Sequence, residues 1–107
     1  MIVVTTPTVP GSEITDVCGL VRGSSVRTKH VGKDLIANLR NVAGGEIYEY
    51  TKMLAQAREQ AIDRMIEEAQ LLGADAVVAV RFQTSMVMKG AAEMLCYGTA
   101  VKLDDPA

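Results

Sequence analysis

Residues 76–103, AVVAVRFQTSMVMKGAAEMLCYGTAVKL, decide the fold. Ala76 to Val87 is rich in β-branched and alternating residues and reads as a strand. Met88-Lys89-Gly90 supplies a turn, and Ala92 to Leu103 reads as the returning strand of a hairpin. Alternation predicts that Val78, Val80 and Phe82 share one face, and Val77, Ala79, Arg81, Gln83 and Ser85 the other. On the return strand, Leu95, Tyr97, Thr99, Val101 and Leu103 share a face. Met94, Cys96, Gly98, Ala100 and Lys102 share the opposite one.

Upstream, the period changes to that of a helix. Ile47, Tyr50, Leu54, Ala57, Ala61, Met65, Ala69 and Leu72 keep a spacing of three to four, with Ile62 and Ile66 widening the stripe. Glu46 suits the first turn of this helix and Gly73 its end. Arg64 is placed to reach Glu67 and Glu68. A shorter helix is expected before it, carried by Leu35, Ile36, Leu39 and Val42 and ended by Gly44-Gly45. Residues 14–22 read as a strand that continues through residues 24–28. Gly19 and Gly23 in it signal a bulge or a close backbone approach. Ile2 to Thr6 form a short strand stopped by Pro7 and Pro10.

The expected architecture is α+β in two layers. A small antiparallel sheet carries a helical pair, one member long, on one face, in β-β-α-α-β-β order. The last strand is expected to fill the gap between the strand near Thr15–Arg22 and that near Ala76–Val87. Residues 1–107 then make one domain. Val78, Phe82, Leu95, Tyr97 and Val101 are the large side chains and should meet the helices. The reverse face, with Val77, Ala79, Met94, Cys96, Gly98 and Ala100, is small and uncharged where a solvated face would be polar. A helix of roughly 27 residues is about 40 Å long. A compact domain of this length has a radius of gyration of about 13 Å and is only about 34 Å across. Both arguments predict a homo-oligomer.

The 107 residues hold 11 Lys and Arg against 13 Asp and Glu, for a formal charge of −2. That excludes bulk electrostatic binding to nucleic acid. No basic, apolar leader opens the chain, and no apolar run is long enough for a bilayer. Two widely spaced cysteines fit a reducing compartment, so a cytoplasmic location is expected. No nucleophile elbow, HExxH, P-loop or GxGxxG is present, and no enzyme activity is expected. His30, the only histidine, has no Cys or acid at a zinc-finger spacing.

Sulfur is the remaining inventory: six methionines and two cysteines. Met86-x-Met88 and Met94-x-Cys96 flank the hairpin turn, and i, i+2 residues share a strand face. Cys18 joins that face if its strand pairs with the last one. Cys18, Cys96 and Met94 are therefore candidate ligands for a soft ion. The competing reading is that these side chains fill a core or a contact surface. The Gly44-Gly45-Glu46 element, with Glu49, Tyr50 and Arg40 or Arg58, reads as an anion site or a structural polar network.

The segment GGEIYEYTKMLAQAREQAIDRMIEEAQLLGADAVVAVRF (44–82), the opening TTPTVPG with Ile14, and the closing YGTAVKL together resemble the YbjQ family of small bacterial proteins. The resemblance runs from Ile2 to Leu103. It implies a two-layer α+β fold, a ring-shaped homopentamer and a heavy-metal-binding role without settled ligands. The alternative role is a metal-free structural or regulatory ring that holds a small molecule or a protein at its subunit contacts.

Overall fold

The computed structural model describes residues 1–28 and 43–105, with side chains of the helix described from Thr51 onward. The elements are β1 (Ile2–Val3), β2 (Ile14–Thr28), α1 (Ala43–Leu71), β3 (Ala76–Met88) and β4 (Ala91–Leu103). They form an α+β fold in which one sheet has the strand order β1-β3-β4-β2. β4 is antiparallel to both β2 and β3, so the returning strand does fill the gap between them. The sheet is mixed rather than antiparallel throughout, because β1 runs parallel to β3. Val4 and Thr6 prolong that pairing: the amide of Val80 donates to the Val4 carbonyl (3.1 Å) and that of Ala79 to the Thr6 carbonyl (2.9 Å).

The shorter helix expected near residues 35–42 lies outside the described residues. The long helix spans Ala43–Leu71, so Gly44 and Gly45, expected to end the shorter helix, lie in its first turn. Amides in a first turn have no intrahelical acceptor to lose, which makes glycine tolerable there. The other end is as expected. Gly73 adopts φ 74°, its amide reaches the Gln70 carbonyl (3.0 Å), and the Ala74 amide reaches Ala69 (3.1 Å). This is a Schellman closure, which favours glycine at its left-handed position.

The structure corrects the assignment of sheet faces. Val78 opposes Thr99 but Arg81 opposes Tyr97, so Ala79 and Val80 together face Gly98. Ala79 has φ 54°, a bulge conformation that its sequence does not advertise. Alternation therefore restarts at this point. Val77 and Val80 both point to the helix, Phe82 follows opposite Cys96, and Val78 falls on the other side.

The helix covers the small-residue face, not the large one. Ala57, Ala61, Met65 and Ala69 of α1 pack with Val21, Val77, Val80, Met94, Cys96 and Ala100. The reason is distance of approach. An alanine-rich helix stripe buries itself only if the sheet lets it come close. Gly23 lies beneath Ala61 and Met65, where Leu95 and Tyr97 would hold the helix away. On the reverse face, Ala76, Val78, Val101 and Leu103 are sealed by Ile2, Val4, Val9 and Ile14. The helix backbone runs over β2 and β4, and β3 reaches it through Val77 and Val80.

The molecule is long. Its extents are 56 × 22 × 18 Å and its radius of gyration is 17.6 Å, against about 13 Å for a compact domain of this length. α1 alone has 29 residues, which at 1.5 Å each is about 44 Å.

Candidate functional site

The sulfur side chains were the first candidates, and the sheet register fixes where they stand. Met94 and Cys96 share the helix-side face and are buried. The Thr84 hydroxyl donates to the Met94 sulfur at 3.3 Å. Burial pushes the Cys96 thiol above its ordinary 9.0, partly offset by a backbone hydrogen bond from Gly23. A raised thiol is a poor source of the thiolate that binds metals. Cys18 is half-buried and packs against the same core. It occupies the irregularity between the Val17–Val101 and Gly19–Ala100 pairs, whereas Cys96 opposes Gly23. Four residues of strand separate these rungs, about 13 Å. Two sulfurs on one ion, each about 2.3 Å from it, sit within about 5 Å of each other. One chain thus places all three candidates along a single face but does not gather Cys18 with Met94 and Cys96.

A second register shift parts the other methionine pair. Met86 opposes Ala92 and Met88 opposes Ala91, so these two fall on opposite faces, contrary to simple i, i+2 alternation. Both are exposed. Among the described residues no group of three or more His, Cys, Asp or Glu converges. His30 and the side chains of the Gly44-Gly45-Glu46 element lie outside the described residues.

The structure adds a groove that the sequence did not signal. It has a volume of about 590 Å³ and runs between α1 and the end of β2, lined by Arg27, Ala55, Gln56, Glu59, Gln60 and Asp63. Gln56, Glu59, Gln60 and Asp63 recur at i, i+3, i+4 and i+7, which in sequence is indistinguishable from a solvated helix face. The Arg27 Nε is buried with no hydrogen-bond partner among the described residues. Beside the groove, the Ser25 hydroxyl donates to Gln60 Oε1 at 2.5 Å. Arg64, expected to reach Glu67 and Glu68, instead donates to the Ser24 carbonyl at 2.5 Å. It thereby ties the helix to β2.

Large apolar side chains stand on the surface outside both cores. Leu20 and Val26 lie on the reverse side of β2, Tyr97 beside them on β4, and Phe82 and Met86 on the part of β3 that the helix leaves bare. No helix among the described residues is long and apolar enough to cross a membrane.

Comparison with known proteins places this arrangement. Residues 1–104 match a family model described as "Putative heavy-metal-binding". A UPF0145 protein of Methanosarcina acetivorans is 61% identical over 103 residues, covering 96% of this chain and 97% of the relative. One from Archaeoglobus fulgidus is 60% identical, with 96% and 95% covered. One from Thermus thermophilus is 57% identical, with 97% and 91% covered. The relatives thus include archaeal proteins, so the family is wider than the bacterial one implied by the resemblance. A crystal structure of a protein of unknown function from Pediococcus pentosaceus shares the fold. Its TM-score is 0.66 at 21% identity, over 97% of this chain and 98% of that one. With the family pattern matched from end to end, the chain belongs to the YbjQ family.

Proposed function

We propose that this chain is a subunit of a homo-oligomeric ring in the cytoplasm, a pentamer as the family resemblance implies, and that it binds its ligand where subunits meet. One observation carries the reading. A body 56 Å long leaves Leu20, Val26, Phe82, Met86 and Tyr97 on its surface, outside both cores. Burying such side chains is worth about 1.5–3 kcal/mol each, and further copies of the same chain supply the cover. The family's description makes a soft or heavy metal the first ligand class. A ring repeats each accessible donor, such as the half-buried Cys18 thiol, once per subunit, so a ligand too weak in one chain is multiplied in an assembly. No catalytic step belongs to this reading.

The separation of Cys18 from Cys96 along the sheet favours a second reading. In it the ring is metal-free and holds a small molecule or a protein at its subunit contacts. Sedimentation at micromolar concentration tests the common premise: we expect a mass several times that of one chain, and a stable monomer refutes both readings. Elemental analysis after equilibration with Cd(II) or Cu(I) separates them. Stoichiometric metal that disappears in Cys18→Ser or Cys96→Ser supports the metal reading, and a metal-free ring supports the second.

A further inference from the structure

The groove beside α1 is built around a cation that the described residues leave unanswered. Gly23, Ser25 and Arg27 follow one another on the helix-side face of β2, at every second position. The cross-strand partner of Arg27 on β4 is Ala92, and Ala55 lines the helix wall. Neither methyl group fills the space between strand and helix, and neither offers an acceptor. The Arg27 Nε is buried with no partner among the described residues. Yet the same groove holds two carboxylates, Glu59 and Asp63, four residues apart and so about 6 Å along α1. Among the described residues neither forms an ion pair with Arg27. Cation and acids thus face one space of about 590 Å³ from separate walls. That is room for a small organic molecule and more than a single ion needs.

These groups select a ligand by its charges. The Nε–H and one Nη–H of a guanidinium form a planar fork that fits a carboxylate. The Ser25 hydroxyl occupies Gln60 Oε1, which leaves the Gln60 amino group to donate as well. Glu59 and Asp63 repel a bare anion and attract an ammonium group. One cation against two carboxylates leaves the lining with a formal charge of −1. We propose that this groove binds a basic amino acid, a zwitterion with one extra ammonium group. Its carboxylate rests on Arg27 and Gln60, and its ammonium groups rest on Glu59 and Asp63. L-Lysine is a simple member of that class. The site goes beyond both readings above, since it lies within one subunit and uses no sulfur.

Calorimetric titration of the unmodified protein with L-lysine tests the site against two analogues that each lack half of the pattern. Cadaverine has no carboxylate, and hexanoate has no ammonium group. Lysine is expected to bind about tenfold or more tightly than either, as the loss of a charged hydrogen bond implies. If cadaverine binds as well, the groove is only an acidic patch and the proposal fails. If hexanoate or inorganic phosphate binds as well, it is only an anion site and the proposal fails again. Neither heat nor a raised melting temperature at about 10 mM lysine overturns it outright. Arg27→Met keeps a side chain of similar length and removes the donors, so lysine affinity is expected to fall about tenfold or more. Should that variant misfold, Glu59→Gln with Asp63→Asn alters two exposed side chains and is expected to weaken lysine to a similar extent. Undiminished affinity in a folded variant overturns the assignment. Sedimentation keeps this apart from the ring: a monomer that binds lysine leaves the groove standing, and a ring without lysine affinity refutes the groove alone.

Discussion

Gly23 of β2 lies directly beneath Ala61 of α1, and a methyl group on it would run into the Ala61 carbonyl and meet the Met65 amide nitrogen at 2.5 Å. Both obstacles are backbone, so neither swings aside. Gly23→Ala must therefore lift the helix from the sheet across Val21 and Cys96. We expect a loss of about 3 kcal/mol, read as a lower urea midpoint. A loss below about 0.5 kcal/mol would show that the helix is not seated where we describe it.

Gly98 faces a softer neighbourhood. A Cβ there would stand 2.7 Å from Val77 Cγ1, 3.0 Å from the Val78 carbonyl and 3.1 Å from Val80 Cγ2. Two of these three are side-chain atoms. Gly98→Ala is expected to cost about 1–2 kcal/mol. Combined with Val77→Ala it should cost at least about 0.5 kcal/mol less than the sum of the single losses, since the pair shares one space. Strict additivity in a double-mutant cycle would contradict the close approach of Gly98 to Val77.

Asp75 joins the helix exit to the end of the sheet. Its Oδ2 accepts the Leu103 amide at 2.9 Å, while its own amide donates to Val101 at 2.9 Å. Asp75→Ala leaves the Leu103 amide without that acceptor and is expected to cost about 1–2 kcal/mol. Asp75→Asn retains an acceptor and should lose less. Exchange of the Leu103 amide reports the site directly: it should accelerate in the alanine variant well before global unfolding does.

The two thiols should differ in reactivity, and burial gives Cys96 a pH signature. Cys96 is buried and Cys18 half-buried, so alkylation of the native protein is expected to modify Cys18 first. Burial raises the Cys96 thiol above 9.0, its ordinary value. The sign follows from linkage: the unfolded chain loses the proton first as pH rises. The associated stability is fully present below about pH 9 and is lost as pH climbs through the folded value. Urea midpoints measured from pH 8 to 10 should fall more steeply in the parent than in Cys96→Ala. Equal slopes would place Cys96 outside the core.

Much of the fold was legible because its signals are local. The β-branched run at 76–87, the turn ending at Gly90 and the stripe Ala57–Ala61–Met65–Ala69 each name their element through backbone and side-chain preferences. Gly19 and Gly23 were legible as irregularities: Gly19 sits at a register shift with φ 131°, and Gly23 is the point of closest helix approach. The candidate site was less legible. The expected pairing of Met86 with Met88 assumed unbroken alternation, which the register shift at Val87 resets, and Cys18 stands several residues of strand away from the Cys96 rung. Nothing about an alanine or a valine announces a bulge.

By itself the sequence determined the types and order of the described elements, the place of the last strand between its two neighbours and the membership of the family. Hydrophobic period and turn chemistry are written along the chain, and they suffice for that much. Only the tertiary structure decided which face of the sheet the helix takes. A period of two separates the faces without ranking them. The ranking comes from matching volumes in three dimensions, where an alanine-lined helix settles on Gly23, Cys96 and Ala100 and leaves Tyr97 and Leu20 to the outside.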